Sequence, residues 1–311
     1  MKEESLLLLS DLQKLINQVV LIDYTIIILG GEIMAFHCTP APKAPVETLA
    51  HKPWTMALKP FQVAPQTWYV AGQSWVGCYL IDTGDGLLLI DTAIPESVYL
   101  LVDSIYRIGY KPENIKKILI SHAHFDHCGG AAAMRELTGA ELYMSREDYD
   151  FMKACYEETM IPDSGSHTQD FEPDHFYSEE EPVTLGNISV RTVLTPGHTP
   201  GCTSFFWTVK NPKNGEEYVV GMHGGVGANT MNDDYYASSR YLTPALRERF
   251  FTDAEKVKNI HVDIALPSHP NQIEIVDRAG MYTDENQIYL DDTVWADFID
   301  ERVRQVKTLM K

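Results

Sequence analysis

The sequence has no apolar run long enough to cross a bilayer. Its best candidates, Leu6–Leu9 and Val19–Leu29, are short, and Asp23 breaks the second, whereas a spanning helix needs about 20 predominantly apolar residues. Lys2-Glu-Glu is the wrong charge balance for a secretory signal. Cysteine is scarce: Cys38, Cys78, Cys128, Cys155 and Cys202 are five in number. An odd count without framework spacing argues against a disulfide scaffold and for a reducing compartment. The expected location is therefore the cytoplasm, with the periplasm or secretion as the alternative. Basic residues are also few, 25 Lys and Arg against 44 Asp and Glu, for a net charge of -19. Such a balance disfavours nucleic acid and anionic membrane as partners and leaves a small-molecule substrate. Nothing in the pattern sets the number of subunits.

A chain of 311 residues with 44% hydrophobic content can bury one large α/β core. Residues 1–59 read as an N-terminal arm and 60–311 as the folded domain. Within the arm, Gly30-Gly-Glu-Ile-Met34 can be encoded by a ribosome-binding sequence followed by a start codon. Residues 1–33 are accordingly expected to be translated leader, with Met34 the true start. Beyond the arm, strands are expected at Thr67–Val70, Gly77–Thr83, Gly86–Thr92, Ile115–Ile120, Glu141–Met144, Val183–Leu185, Ser189–Leu194, Thr203–Val209, Glu217–Gly221 and His261–Leu266. Helices are expected at Pro95–Tyr110, Gly129–Leu137, Arg146–Tyr156, Pro244–Asn259 and Leu290–Met310. The stretch Pro162–Glu181 is polar, acidic and aperiodic, a surface insertion over or near the cleft. Pattern alone stops at mixed α/β.

Chemistry concentrates in Ser121-His-Ala-His-Phe-Asp-His-Cys-Gly-Gly130, directly after the apolar run Ile118–Ile120. Three imidazoles and a carboxylate so close together cannot all be satisfied by a core. They suit zinc, and they suffice to be shared between two metals. The competing reading is a polar loop with chance histidines. Downstream, Thr195-Pro-Gly-His-Thr-Pro-Gly-Cys-Thr-Ser204 holds His198 at a tight turn after a strand. A third short strand ends in Pro267-Ser-His269-Pro270. Cys128 and Cys202 adjoin these motifs and read as small packing residues.

These pieces, in this order, resemble the metallo-β-lactamase superfamily from about Pro60 onward. The resemblance implies the αβ/βα sandwich, two mixed β-sheets with outer helices and metals at one sheet edge. It implies a zinc hydrolase with two Zn2+ per chain, one held by His122, His124 and His198, the other by Asp126, His127 and His269. Most members carry a metal-bridging Asp where this chain has Tyr218-Val-Val-Gly-Met-His-Gly-Gly225, and the commonest lactamase subclass has a Cys there. Lacking both, the chain is most similar to the third subclass, as are Phe171-Glu-Pro-Asp, Val183-Thr-Leu-Gly and Trp295-Ala-Asp-Phe-Ile-Asp-Glu-Arg. The implied chemistry is attack on a strained cyclic amide by hydroxide shared between the zinc ions, with Asp126 both ligand and catalytic group. His223, Trp75, Asn229, Tyr236 and Arg240 are candidate substrate-binding residues. A loop role for His223 and core packing for Trp75 stay open beside that reading. Three functions follow: a β-lactam hydrolase, a related hydrolase of another amide, lactone or ester, and a non-catalytic metal-binding protein. The intact ligand set argues against the last.

Overall fold

The computed structural model describes residues 51–159 and 168–310. The leader, the proposed start at Met34 and most of the expected arm lie outside them. The described end of the arm is ordered against the core. Pro53–Met56 forms a 3-10 turn and Ala57 bridges to Gln73.

Among the described residues twelve strands form two sheets. The seven-stranded sheet runs in sequence order: β1 (Phe61–Ala64), β2 (Thr67–Tyr69), β3 (Tyr79–Asp82), β4 (Leu87–Ile90), β5 (Ile115–Leu119), β6 (Glu141–Met144) and β7 (His175–Phe176). Its first half is an antiparallel meander, and from β4 onward the strands are parallel. The five-stranded sheet contains β8 (Val183–Leu185), β9 (Ile188–Leu194), β10 (Thr203–Lys210), β11 (Glu217–Met222) and β12 (Ile264–Leu266), in the order β12-β11-β10-β9-β8. Only its β11–β12 pair is parallel. Both sheets are mixed, as the expected fold class requires.

Helices are α1 (Val98–Arg107), α2 (Phe125–Cys128), α3 (Ala131–Thr138), α4 (Arg146–Ala154), α5 (Asp233–Ser238), α6 (Pro244–Lys258) and α7 (Val294–Leu309). Leu87–Ile90 is buried throughout, as befits a strand covered on both faces. β9 instead alternates, with Ile188, Val190 and Thr192 inward and Ser189 and Arg191 outward. Each large apolar side chain so buried is worth about 1.5–3 kcal/mol. On the second sheet Trp295 and Phe298 of α7 are buried, Trp295 meets Phe206 edge-on at 5.4 Å, and its indole N–H donates to Val257 O at 2.8 Å. The sheets are tied where their strands end. Tyr79 Oη donates to Pro267 O at 2.7 Å, Gly77 N to Ser268 O at 2.7 Å, and Thr203 N to Ser121 O at 3.0 Å. That seam places the loops after β5, β9 and β12 side by side. Among the described residues no helix is long and apolar enough to cross a membrane.

Candidate metal centre

Three strand ends deliver the histidines. β5 stops at Leu119, and the chain turns through His122 and His124 into the single-turn helix α2, which carries Asp126 and His127. β9 ends at Leu194 and leads through Pro196 and Gly197 to His198. Gly197 has φ 145°, a backbone that side-chain-bearing residues rarely adopt. β12 ends at Leu266, and Pro267-Ser268 places His269.

All six expected ligands converge. In the first set His124 Nδ1 and His198 Nε2 are 2.9 Å apart, and the His122 ring centroid lies 5.0 and 4.9 Å from theirs. In the second set His127 Nε2 to His269 Nε2 is 3.2 Å, His269 Nε2 to Asp126 Oδ2 is 3.4 Å, and His127 Nε2 to Asp126 Oδ2 is 3.6 Å. A tetrahedral zinc with bonds of 2.0–2.1 Å holds its ligand atoms roughly 3.3 Å apart, a spacing the second set brackets. His122 stands between the sets: it groups with His124 and His198, and also with Asp126 and His127, in each case with ligand atoms within 4.8 Å.

Hydrogen bonds behind the rings decide which nitrogen faces inward. His269 Nδ1 donates to Trp75 O at 2.7 Å, and His198 Nδ1 to Gly227 O at 2.9 Å. Carbonyls only accept, so both rings carry the proton on Nδ1 and turn an Nε2 lone pair to the centre. His127 Nδ1 meets Asp91 Oδ2 at 2.8 Å with the same result. Ser121 Oγ, which donates to Asp91 Oδ2, receives His122 Nδ1–H at 3.1 Å. That leaves His122 Nε2 buried with no hydrogen-bond partner, a lone pair that a cation would satisfy.

The electrostatics favour the ligating form. Burial, followed by the neighbouring histidines, holds His122 and His124 well below the usual imidazole range. Burial brings His127 and His198 down to about 3. Neutral imidazoles are what a metal requires. Residues and geometry thus fit a pair of metal sites.

The remaining candidates divide. Trp75 does reach the centre. Its carbonyl orients His269, while its half-buried indole packs on Phe125 and Ile94 and tilts over the His269 ring at 6.2 Å. His223 is buried, accepts Gly225 N–H at Nδ1, and falls in neither metal-holding group. Tyr236 is buried too. Its hydroxyl donates to Gly197 O at 2.5 Å, so it braces the His198 turn. Arg240 has an exposed guanidinium that pairs with Glu157 and Glu158 of the 3-10 turn Tyr156–Glu158. Asn229 falls on the 3-10 turn Ala228–Met231, its side chain outside the described residues. Cys128 and Cys202 are buried thiols pushed well above their ordinary range by burial, as packing residues would be.

Two carboxylates went unnoticed in the sequence. Asp91 is fully buried at φ 61°, and its oxygens collect Ser121 N, Ser121 Oγ and His127 Nδ1. Burial raises it to about 7 against those hydrogen bonds. Asp148 of α4, also fully buried, takes donors from both ligand loops. The available signal for Asp91 was a carboxylate directly after the apolar strand Leu87–Ile90.

The sequence profile of the metallo-beta-lactamase superfamily matches residues 76–211, which include four of the clustered ligands and His198. The chain carries a metallo-beta-lactamase superfamily domain. The fold of this metallo-beta-lactamase domain is similar to that of a subclass B3 metallo-beta-lactamase of Bradyrhizobium japonicum, with TM-score 0.74 and 27% identity over 83% of this chain and 96% of that one. The metallo-beta-lactamase of Legionella gormanii gives 0.72 and 27% over 81% and 95%. In sequence the domain is similar to an N-acyl homoserine lactonase of Bacillus thuringiensis, 31% identical over 160 residues. That match takes in 42% of this chain and 57% of the lactonase, so the chain spans little more than half of that curated relative.

Proposed function

We propose that the protein is a dinuclear zinc hydrolase that opens the ring of a β-lactam, a small-molecule substrate taken up at the Trp75 side of the centre, and that it works in the cytoplasm. The observation that carries this reading is the ligand arrangement. Six ligands converge, and the end of β11, Gly221-Met-His-Gly, offers no carboxylate or thiol to the centre. The likeness to subclass B3 structures over most of their length supports the same choice.

Bound zinc supplies Lewis acidity and a water acidic enough to attack near neutral pH. The chain supplies orientation. Trp75 O, Gly227 O and Asp91 keep three imidazole lone pairs directed inward. Asp126 lies within 3.6 Å of both His127 and His269 Nε2, where its carboxylate accepts from and orients the attacking water. The partly exposed Trp75 indole gives the second set an apolar wall against which a ring substrate rests.

A second reading is favoured by the sequence match to an N-acyl homoserine lactonase: the same centre opens a lactone. Zinc-loaded protein assayed on a penicillin, a cephalosporin, a carbapenem and a set of lactones separates the two. Turnover of a β-lactam is expected. Hydrolysis of lactones alone transfers the assignment to the second reading, and no turnover with two zinc ions bound rejects both.

A further inference from the structure

We infer that Asp148 is a positioning residue that locks the two histidine loops of the first metal set to each other. The inference rests on the metal-binding reading of the centre. Asp148 lies on α4, outside every ligand motif, and is 0% exposed. Its Oδ2 accepts Ala123 N–H at 2.7 Å and Thr199 Oγ1–H at 2.8 Å, and its Oδ1 accepts Gly201 N–H at 2.5 Å. Ala123 sits between His122 and His124, and Thr199 directly follows His198. One carboxylate therefore grips, from the far side, the backbone of both loops that make the first set.

The local sequence would ordinarily use this residue elsewhere. Ser145-Arg-Glu-Asp148 is the pattern of a capped helix start, in which the third helical carboxylate reaches back to the cap's own N–H. Half of that arrangement is present, since Ser145 Oγ accepts Asp148 N–H at 3.2 Å. The carboxylate has left the box and turned into the protein. A separate observation supports the grip. Gly201 is pressed so close to α4 that an added Cβ would meet Ser145 Oγ at 2.1 Å and Asp148 N at 2.5 Å. Only glycine lets the loop approach near enough for its N–H to reach Oδ1.

An ionised carboxylate accepts at both oxygens, whereas an amide turns one of them into a donor. Asp148→Asn therefore sets an N–H against the N–H of either Ala123 or Gly201 and releases one loop. The second set has no such tie: among the described residues no hydrogen bond joins Asp148 to Asp126, His127 or His269. The consequence is selective.

The test is zinc affinity, measured by competition with a chromophoric chelator on metal-free full-length protein, together with the visible spectrum of the cobalt-loaded protein. Asp148→Asn is expected to weaken one of two sites by about 10–100-fold, the range for losing an outer partner of a metal ligand. The cobalt ligand-field bands of that site should shift, while the other site changes by less than about threefold. Thr199→Val removes one of the three hydrogen bonds to the Asp148 carboxylate, together with the Thr199 Oγ1 contact to Cys202 Sγ. It should shift the same site in the same direction by a smaller factor, and it carries the test if the Asn variant does not fold. Variants that melt earlier yet bind zinc with wild-type affinity and cobalt spectrum overturn the inference and reduce Asp148 to a structural residue. Wild-type protein that binds no zinc overturns both this inference and the metal reading, so the two failures are distinct.

Discussion

Gly227→Ala isolates a demand that the centre makes on backbone alone. Gly227 has φ −65° and ψ 94°, angles open to alanine, so the change carries no conformational penalty of its own. The obstacle is the His198 ring. A Cβ built there lies 2.4 Å from Cε1, 2.7 Å from Nδ1 and 3.0 Å from Nε2. Ordinary contact begins about 1 Å further out, so the ring or the 3-10 turn Ala228–Met231 must move by that much. A ring displaced by about 1 Å far exceeds the tolerance of ~0.2 Å on a metal–ligand bond. It also parts from Gly227 O, the acceptor that fixes its tautomer. Overpacking of this kind costs about 1–3 kcal/mol of stability, and losing the ring's orientation costs about 10–100-fold in zinc affinity. Chelator competition measures the second quantity and thermal unfolding of metal-free protein the first. If the alanine variant binds zinc at both sites as tightly as wild type, the close packing of Gly227 on His198 does not exist in solution and the reasoning fails.

Asp91→Asn turns one of two accepting oxygens into a donor, which then opposes either Ser121 N–H or His127 Nδ1–H, and should lower zinc occupancy of the Asp126/His127/His269 set about 10–100-fold. Metal analysis after dialysis against a weak chelator reads this directly, and full occupancy contradicts it. Metal-free protein should lose stability on acidification. His127, His198 and His223 sit near 3 and His122 and His124 lower than usual, so through the window from about 6.5 down to 3 the unfolded chain binds more protons than the folded one. Asp91 and Asp148, raised to about 7, pull the other way, because stability they contribute below the ordinary carboxylate range is lost as pH rises toward 7. Histidines outnumber them, so the urea midpoint should fall between pH 7 and pH 5; a flat or rising midpoint refutes the balance. Arg240→Ala should leave kcat and KM unchanged and shift stability by less than about 1 kcal/mol, since its ion pairs are exposed. A raised KM would return Arg240 to the substrate site. His223→Ser should keep wild-type zinc content, which the same metal analysis checks, because its ring belongs to neither ligand group.

What the sequence disclosed follows the range of its interactions. Glu141–Met144 and Val183–Leu185 matched residue for residue, because short apolar alternations bounded by turns are local signals. β1 was missed because Pro60 and Pro65 bracket Phe61–Ala64, and prolines at both ends read as irregular chain. β7 is two residues long and exists by virtue of its pairing with β6, so no period could announce it. Leu290 was assigned to the last helix, but Asp291 Oδ1 accepts Thr293 N–H in a turn and the helix begins at Val294. At the centre, imidazoles and a carboxylate within one turn reveal themselves by composition. Asp91 and Asp148 do not, since each looks like an ordinary strand end or helix start until the fold brings His127, Ala123 and Thr199 to it. The pairing of Arg240 with Glu157 and Glu158 was equally hidden, because those partners lie a long way off in sequence.

The seam between the two sheets gives the centre a place in the order of assembly. His122, His124, Asp126 and His127 are neighbours in the chain and meet as soon as a single turn forms. His198 joins His124 across 74 residues, and His269 joins His127 across 142. Contacts of such span close late, after the intervening chain has condensed. Each set takes ligands from both sides of the seam, so neither can be completed by half a molecule. A cation taken up early would rest on the local cluster alone, and full chelation would have to wait until the second half has docked in register.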